Sequence, residues 1–253
     1  MTGPRPSPAW FEREVTAVAC DLLGAELTTV TPEGTVTIRI TEVEAYGGLI
    51  DPGSHAFRGR TRRNAVMFDE PGRLYVYRHL GLHHCVNIVV GPPGTAAAVL
   101  LRAGEVVDGK SLAFARRTAS GVVRTDLDLA RGPARLAVAL GVDLGWYGRS
   151  VLDDDALALR VPGAEGDAGA GSDPTPAGAA PVPASDRAPV VASGPRVGVS
   201  GDGGDARLFP WRFWLAGDRT VSAYRPAARR RATFGETTAS RHNGATPVLK
   251  EKP

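Results

Sequence analysis

Residues 36–46 read VTIRITEVEAY, and this run decides the fold around it. Side chains alternate across a β-strand, so Val36, Ile38 and Ile40 share one face. Continuing the alternation puts Glu42, Glu44 and Tyr46 on that same face. The reading predicts a strand over about 35–46 whose apolar stripe runs into two acids and an aromatic. A desolvated carboxylate is costly unless it is paired or used. The alternative is a structural glutamate that reaches water or pairs with a buried arginine such as Arg102.

Upstream, residues 10–24 carry Phe11, Val15, Val18, Ala19 and Leu22 at helical spacing, with Gly24 as a stop. Downstream, residues 47–71 form a Gly/Pro/Arg-rich stretch with His55, Arg58, Arg60, Arg62 and Arg63. Two extended runs, 73–79 and 84–90, predict a β-hairpin whose tip carries Leu80 to His83. A further strand is expected over 96–107, a short helix over 109–119 and a second over 132–142, the last with a proline near its start and Gly141 near its end. Residues 161–189 are rich in Gly, Ala and Pro and read as a flexible insertion loop. Segments 190–200 and 210–224 read as closing strands of the same sheet. Residues 1–9 read as a flexible lead-in, 10–225 as one domain, and 226–253 as a basic, disordered tail. The fold class expected is α+β: a curved, mostly antiparallel, partly open barrel-like sheet with peripheral helices and a protruding hairpin.

At 253 residues with 43% hydrophobic and 23% charged residues, the chain is globular in composition. No run approaches the ~18 apolar residues of a membrane span, and two cysteines, Cys20 and Cys85, make no disulfide or metal framework. A reduced, cytoplasmic (nucleoid-associated) protein is expected. Lysine occurs three times, at Lys110, Lys250 and Lys252, so arginine supplies 27 of the 30 basic residues. Arginine forks onto phosphate and stacks on planar groups, which suits nucleic acid; biased codon usage would give the same preference.

Eight short motifs occur in a fixed order: TEVEAY (41–46), a histidine shortly after it (His55), RRNAVMF (62–68), PGRLYVY (71–77), CVN (85–87), LLRA (100–103), RGPARL (131–136) and RVGV (196–199). Together they resemble the alkyladenine (3-methyladenine) DNA glycosylase family over about residues 10–225. The resemblance implies an enzyme of base excision repair that extrudes a damaged purine from double-stranded DNA into a pocket. It makes Glu44 the general base that activates a water, with Arg102 and the backbone carbonyl of Val197 holding that water. Arg102 can equally be a counter-ion for Glu42 or Glu44. Tyr46, Tyr77 and His55 become pocket walls rather than ordinary sheet packing, and Asn87 the amide near the purine edge. Arg62 and Arg63 are expected at phosphate or in loop support.

Leu80 stands at the wedge position, where the family carries a tyrosine; apolar side chains can also unstack a base step. His79 and His83 could stack or bind phosphate in compensation. With His84 they raise a metal question, but no cysteine or carboxylate completes a tetrahedral set, and neither metal nor cofactor is expected. A Schiff-base glycosylase needs an amine, and no lysine falls within residues 1–109, which predicts a monofunctional enzyme. The lesions implied are alkylated purines, 3-methyladenine and 7-methylguanine, with deaminated (hypoxanthine) or etheno purines beside them. A specialist for bulky adducts, a non-catalytic DNA-binding relative and an RNA or nucleotide substrate stay open as alternatives. A monomer is expected, since one pocket reading one base needs no symmetry.

Overall fold

In the computed structural model, which describes residues 3–163 and 189–227, the 36–46 run lies at the centre of an eight-stranded antiparallel sheet. Its strands are β1 (Glu26–Thr31), β2 (Gly34–Tyr46), β3 (Leu74–His79), β4 (His83–Val90), β5 (Ala97–Asp108), β6 (Leu157–Arg160), β7 (Val191–Gly194) and β8 (Arg212–Leu215). The order is β3-β4-β5-β2-β1-β6, with β8 also on β2 and β7 on β8; β3 and β6 do not meet, so the sheet is not closed into a barrel. Among the described residues four α-helices flank it: α1 (Pro8–Phe11), α2 (Val15–Asp21), α3 (Lys110–Ser120) and α4 (Pro133–Leu140). The single mixed α/β domain with a hairpin of β3 and β4 agrees with the expected class.

Strand β2 does not keep one parity, and here the simple alternation fails. Val36, Ile38 and Ile40 enter the main core, but so do Val43 and Ala45. The register against β5 slips between Ile40, opposite Gly104, and Glu42, opposite Ala103, and slips back between Glu42 and Val43, opposite Leu101. A local break in the pleat re-aims the side chains that follow it. Glu42, Glu44 and Tyr46 therefore face away from the apolar stripe, not along it. At the same place β2 exchanges its outer neighbour: residues up to Arg39 pair with β1, and Glu42 to Glu44 pair with β8.

The alternation is regular along β4 and along β5 from Ala97 to Leu101, beyond which Val106 joins the main core on the other parity. Val86, Ile88 and Val90 of β4 and Ala97, Val99 and Leu101 of β5 join the main core with Leu136, Leu140 and the apolar side chains of α2. The intervening residues line the opposite face, where a smaller cluster of Ala56, Val66, Met67, Tyr75, Val89, Ala96 and Ala98 sits.

The segment read as one helix over 10–24 is two. Glu14 is extended (φ −53°, ψ 134°), and the Arg13 guanidinium rather than a backbone amide takes the Trp10 carbonyl, so the helix breaks between Phe11 and Val15. Its apolar positions are buried as spaced. The helix expected near 132–142 ends at Gly141 with φ +71°, a left-handed stop that glycine adopts without a Cβ clash. Residues 3–9 lie against the domain, with Arg5 donating to the Leu152 carbonyl and the Val161 amide to the Pro4 carbonyl. The insertion expected over 161–189 and the tail over 226–253 lie almost wholly outside the described residues. No helix among the described residues is long and apolar enough to cross a membrane.

Candidate active site

Residues opposite one another in an antiparallel ladder point to the same side of the sheet. Glu44 of β2 lies opposite Leu100 of β5, Leu100 opposite Asn87 of β4, and Asn87 opposite Tyr75 of β3. This row, with Tyr46, Tyr77, Cys85, Ala98 and Arg102, floors a cavity of about 410 Å³. His55, Met67, Pro133 and the Val197–Val199 loop complete its wall.

The two glutamates differ in what is left on them. Glu42 is fully buried and accepts from four donors: Arg102 Nε (2.7 Å), Arg212 Nε (2.7 Å), the Ser222 amide (2.6 Å) and the Ser222 hydroxyl (2.9 Å). Burial pushes its carboxyl up, but Arg102, Arg212 and the Ser222 amide outweigh burial and hold it below its ordinary value. Three of these donors converge on Oε1 and the Ser222 amide takes Oε2, and Glu42 does not line the cavity. Glu44, also fully buried, takes the Tyr46 hydroxyl on Oε2 (2.8 Å) and the Val197 amide on Oε1 (2.6 Å), with Arg102 Nη1 3.3 Å from Oε1. That leaves acceptor capacity on Oε2, in a carboxylate that lines the cavity. Arg102 thus touches both acids, and the counter-ion reading of it holds in the geometry. Val197 reaches Glu44 through its N–H.

Aromatic rings form the rest of the wall. Tyr77 stacks on Tyr75 with centroids 5.4 Å apart, and His55 meets Tyr77 edge-on at 4.5 Å. His55 Nδ1 lies 3.0 Å from the Tyr75 hydroxyl. Desolvation at the wall, then the charges of Arg63 and His79, lower the His55 pKa. Burial pushes the Tyr75 phenol up to about 12 and the Tyr77 phenol higher still. Burial and the charge of Glu44 also raise Tyr46, so its hydroxyl stays a donor to that carboxylate. Asn87, 4% exposed, donates from Nδ2 to the Tyr75 carbonyl (2.9 Å), which fixes its amide in the cavity floor.

Eight of the residues singled out from sequence thus meet in one cavity: Glu44, Tyr46, His55, Tyr77, His79, Asn87, Arg102 and Val197. Leu80, Arg62, Arg63 and His83 do not line it. Leu80 sits at the hairpin tip, 81% exposed with φ +50°, and Leu82 beside it is 74% exposed. Arg63 lies over the Tyr77 ring at 5.3 Å and donates to the Arg78 carbonyl, while Arg62 is exposed. His79 and His83 face each other across the hairpin, and no three metal-ligating side chains converge among the described residues.

Sequence reasoning missed Tyr75, Arg212, Ser222 and the buried pair Arg196–Asp51. Tyr75 alternates with Val76 in a run already read as a strand, so parity could have found it. Arg196 stands in the RVGV motif, but only its neighbour was given a role.

The chain matches the family described as Methylpurine-DNA glycosylase (MPG) over residues 9–219. It belongs to that family. It is 50% identical over 222 residues to a protein of Streptomyces avermitilis, covering 88% of this chain and 92% of that one. It is likewise 50% identical over 227 residues to one of Leifsonia xyli, covering 89% and 95%. A Mycobacterium tuberculosis protein is 41% identical over 219 residues, covering 84% and 91%. All three carry the provisional name 3-methyladenine DNA glycosylase. As a methylpurine-DNA glycosylase family member, the chain falls among the base-excision-repair hydrolases that act on N-glycosyl bonds in DNA. The cavity built on β2, β4 and β5 is where its chemistry is to be sought.

Proposed function

We propose that this chain is a monofunctional glycosylase that flips an N-alkylated purine out of duplex DNA and hydrolyses its glycosidic bond. The observation that carries the reading is Glu44: a buried carboxylate with three contacts and acceptor capacity to spare, at the floor of an aromatic-walled cavity.

On this reading a water hydrogen-bonded to Glu44 attacks C1′ of the flipped nucleotide. The C1′–N bond breaks, and its electron pair leaves with the base. Glu44 accepts the water's proton, and its negative charge stabilises the oxocarbenium-like sugar. Arg102 and Val197 hold Glu44 and its water in register. Tyr46, Tyr77 and His55 stack on the purine, and Asn87 reads its edge and disfavours the amino group of normal guanine. Leu80 enters the duplex where the base departs; Arg62, Arg63, His79 and His83 contact phosphate. A cationic 3-methyladenine or 7-methylguanine leaves as a neutral base, so no general acid is needed; hypoxanthine and ethenoadenine are slower substrates. No lysine lies in residues 1–109 to form a Schiff base, so an intact abasic site remains. One pocket acts on one base, and the enzyme works as a monomer.

The test is single-turnover release of 3-methyladenine and 7-methylguanine from methylated duplex DNA by wild type and Glu44→Gln. Release that falls about 10²-fold or more in the variant, with DNA binding kept, supports the base assignment. A folded, DNA-binding wild type that releases neither base would refute the reading and redirect the search to bulky purine adducts.

A further inference from the structure

The mechanism above leaves one buried ion pair unused. Arg196, 1% exposed, forks onto Asp51, with Nη1 2.5 Å from Oδ2 and Nη2 2.7 Å from Oδ1. It also donates from Nη1 to the Ala45 carbonyl (2.9 Å) and from Nε and Nη2 to the Gly203 carbonyl. All five of its N–H groups are engaged. Asp51 in turn accepts from the amides of Gly47 (3.1 Å) and Gly53 (2.8 Å). The pair therefore ties together three segments that share no strand pairing at this point: the end of β2, the loop after it, and the loop carrying Val197.

Two site groups hang from that staple. The guanidinium lies 4.5 Å from the centroid of Tyr46, the ring whose hydroxyl donates to Glu44. Val197, the next residue, gives its amide to the same carboxylate. Arg196 and Asp51 do not line the cavity, so neither touches a base held there.

Resting on the glycosylase reading, we propose that Arg196 and Asp51 are positioning residues: one rigid fork sets both the Tyr46 hydroxyl and the Val197 amide on Glu44. Lysine cannot replace it, because a point-like ammonium reaches one carboxylate oxygen where the guanidinium spans two and stacks on the ring as well. A misplacement of about 1 Å at reacting groups costs on the order of 10²-fold in rate. Binding of DNA through the hairpin and the surface arginines should be untouched.

The experiment compares wild type, Arg196→Lys, Asp51→Asn and the double variant Arg196→Met/Asp51→Asn by single-turnover release of 7-methylguanine with enzyme in excess. The affinity of each for the same duplex is measured alongside. The double variant leaves no unpaired buried charge, and such neutral replacements are often well tolerated. Arg117→Met is the control, a buried arginine on α3 whose side chain, among the described residues, bonds the Leu129 carbonyl and Ser120. The result expected is a saturating rate constant lowered about 10- to 10²-fold in the three staple variants, with affinity within about twofold and Arg117→Met unchanged. Rate constants within about twofold of wild type in Arg196→Lys and the double variant would overturn the positioning role and leave the pair structural only. Absence of release by wild type would instead overturn the glycosylase reading, and this inference with it.

Discussion

Substituting the two neighbouring glutamates of β2 with glutamine should produce opposite defects. At Glu42 all four partners donate. Glutamine keeps one carbonyl oxygen, enough for the Nε atoms of Arg102 and Arg212, but its NH₂ then faces the Ser222 amide, donor against donor. The buried Arg212 also loses its counter-charge, and Arg102 keeps only that of Glu44. Breaking a buried ion network from one side costs about 3–5 kcal/mol, out of the roughly 5–15 kcal/mol that holds a domain folded. For a domain of this size that corresponds to a Tm lower by roughly 6–20 °C. At Glu44 the exchange is gentler: the Val197 amide keeps an oxygen to donate to, and the Tyr46 hydroxyl can turn and accept from the new NH₂. Glu44→Gln should cost less than about 1.5 kcal/mol while abolishing base release. Urea and thermal unfolding from pH 3 to 7 check this. The folded-state carboxyl of Glu42 is depressed below 4.5, so its contribution is complete above about pH 4.5 and is lost as pH falls through the folded value. The gap between wild type and Glu42→Gln should close in that acid range. A Glu42→Gln protein within about 1 kcal/mol of wild type at pH 7, or a gap independent of pH, would refute the division of labour drawn between the two acids.

Leu80 holds φ +50°, so Leu80→Gly should relieve left-handed strain of about 1 kcal/mol and leave stability equal or higher. It also removes the wedge, and release from duplex DNA should fall about tenfold; undiminished release would take the wedge role from Leu80. The depressed pKa of His55 favours its neutral form in the fold, so its contribution is present above about pH 6.5 and fades as pH falls through the folded value. Arg63→Gln, removing one charge that holds it down, should move the His55 titration upward in an NMR pH series. Tyr77→Phe keeps the stack on Tyr75 and the edge contact with His55, and lesion binding should persist. Tyr77→Leu should weaken it by about 1–3 kcal/mol, read as a rise in Kd for lesion-bearing DNA.

The elements that were legible in the sequence are those whose periodicity is set by one buried face. α4 shows its apolar spacing, its proline and Gly141, and the hairpin shows two apolar runs around Leu80–Leu82. β1 was not anticipated, because ELTTVT is short and carries threonines whose hydroxyls find protein partners only in the folded state. Thr28 bonds across to Thr37, and Thr29 to the Leu140 carbonyl. The cavity residues were found mostly through motif order, which carries no geometry. Arg196–Asp51 spans 145 positions and leaves no local pattern to read.

The parity of β2 was misread for a reason that bears on how the site is made. A strand buried on both faces shows apolar residues at every position, so a slip of one residue is invisible in its hydrophobicity. Without the irregularity near Thr41, Glu44 would share the face of Val36 and Ile38 and enter the apolar core, with no donor set to meet it. With it, the carboxylate turns toward the cavity while Val43 and Ala45 take over the core positions. The slip falls where β2 leaves β1 for β8. That exchange brings Arg212 of β8 to Glu42, and the bond from Arg102 Nε to Glu42 in turn seats the Arg102 guanidinium at 3.3 Å from Glu44. The chemistry of one acid is thus set by a structural acid two residues away, and both depend on the irregular stretch of the ladder around Thr41 and Glu42.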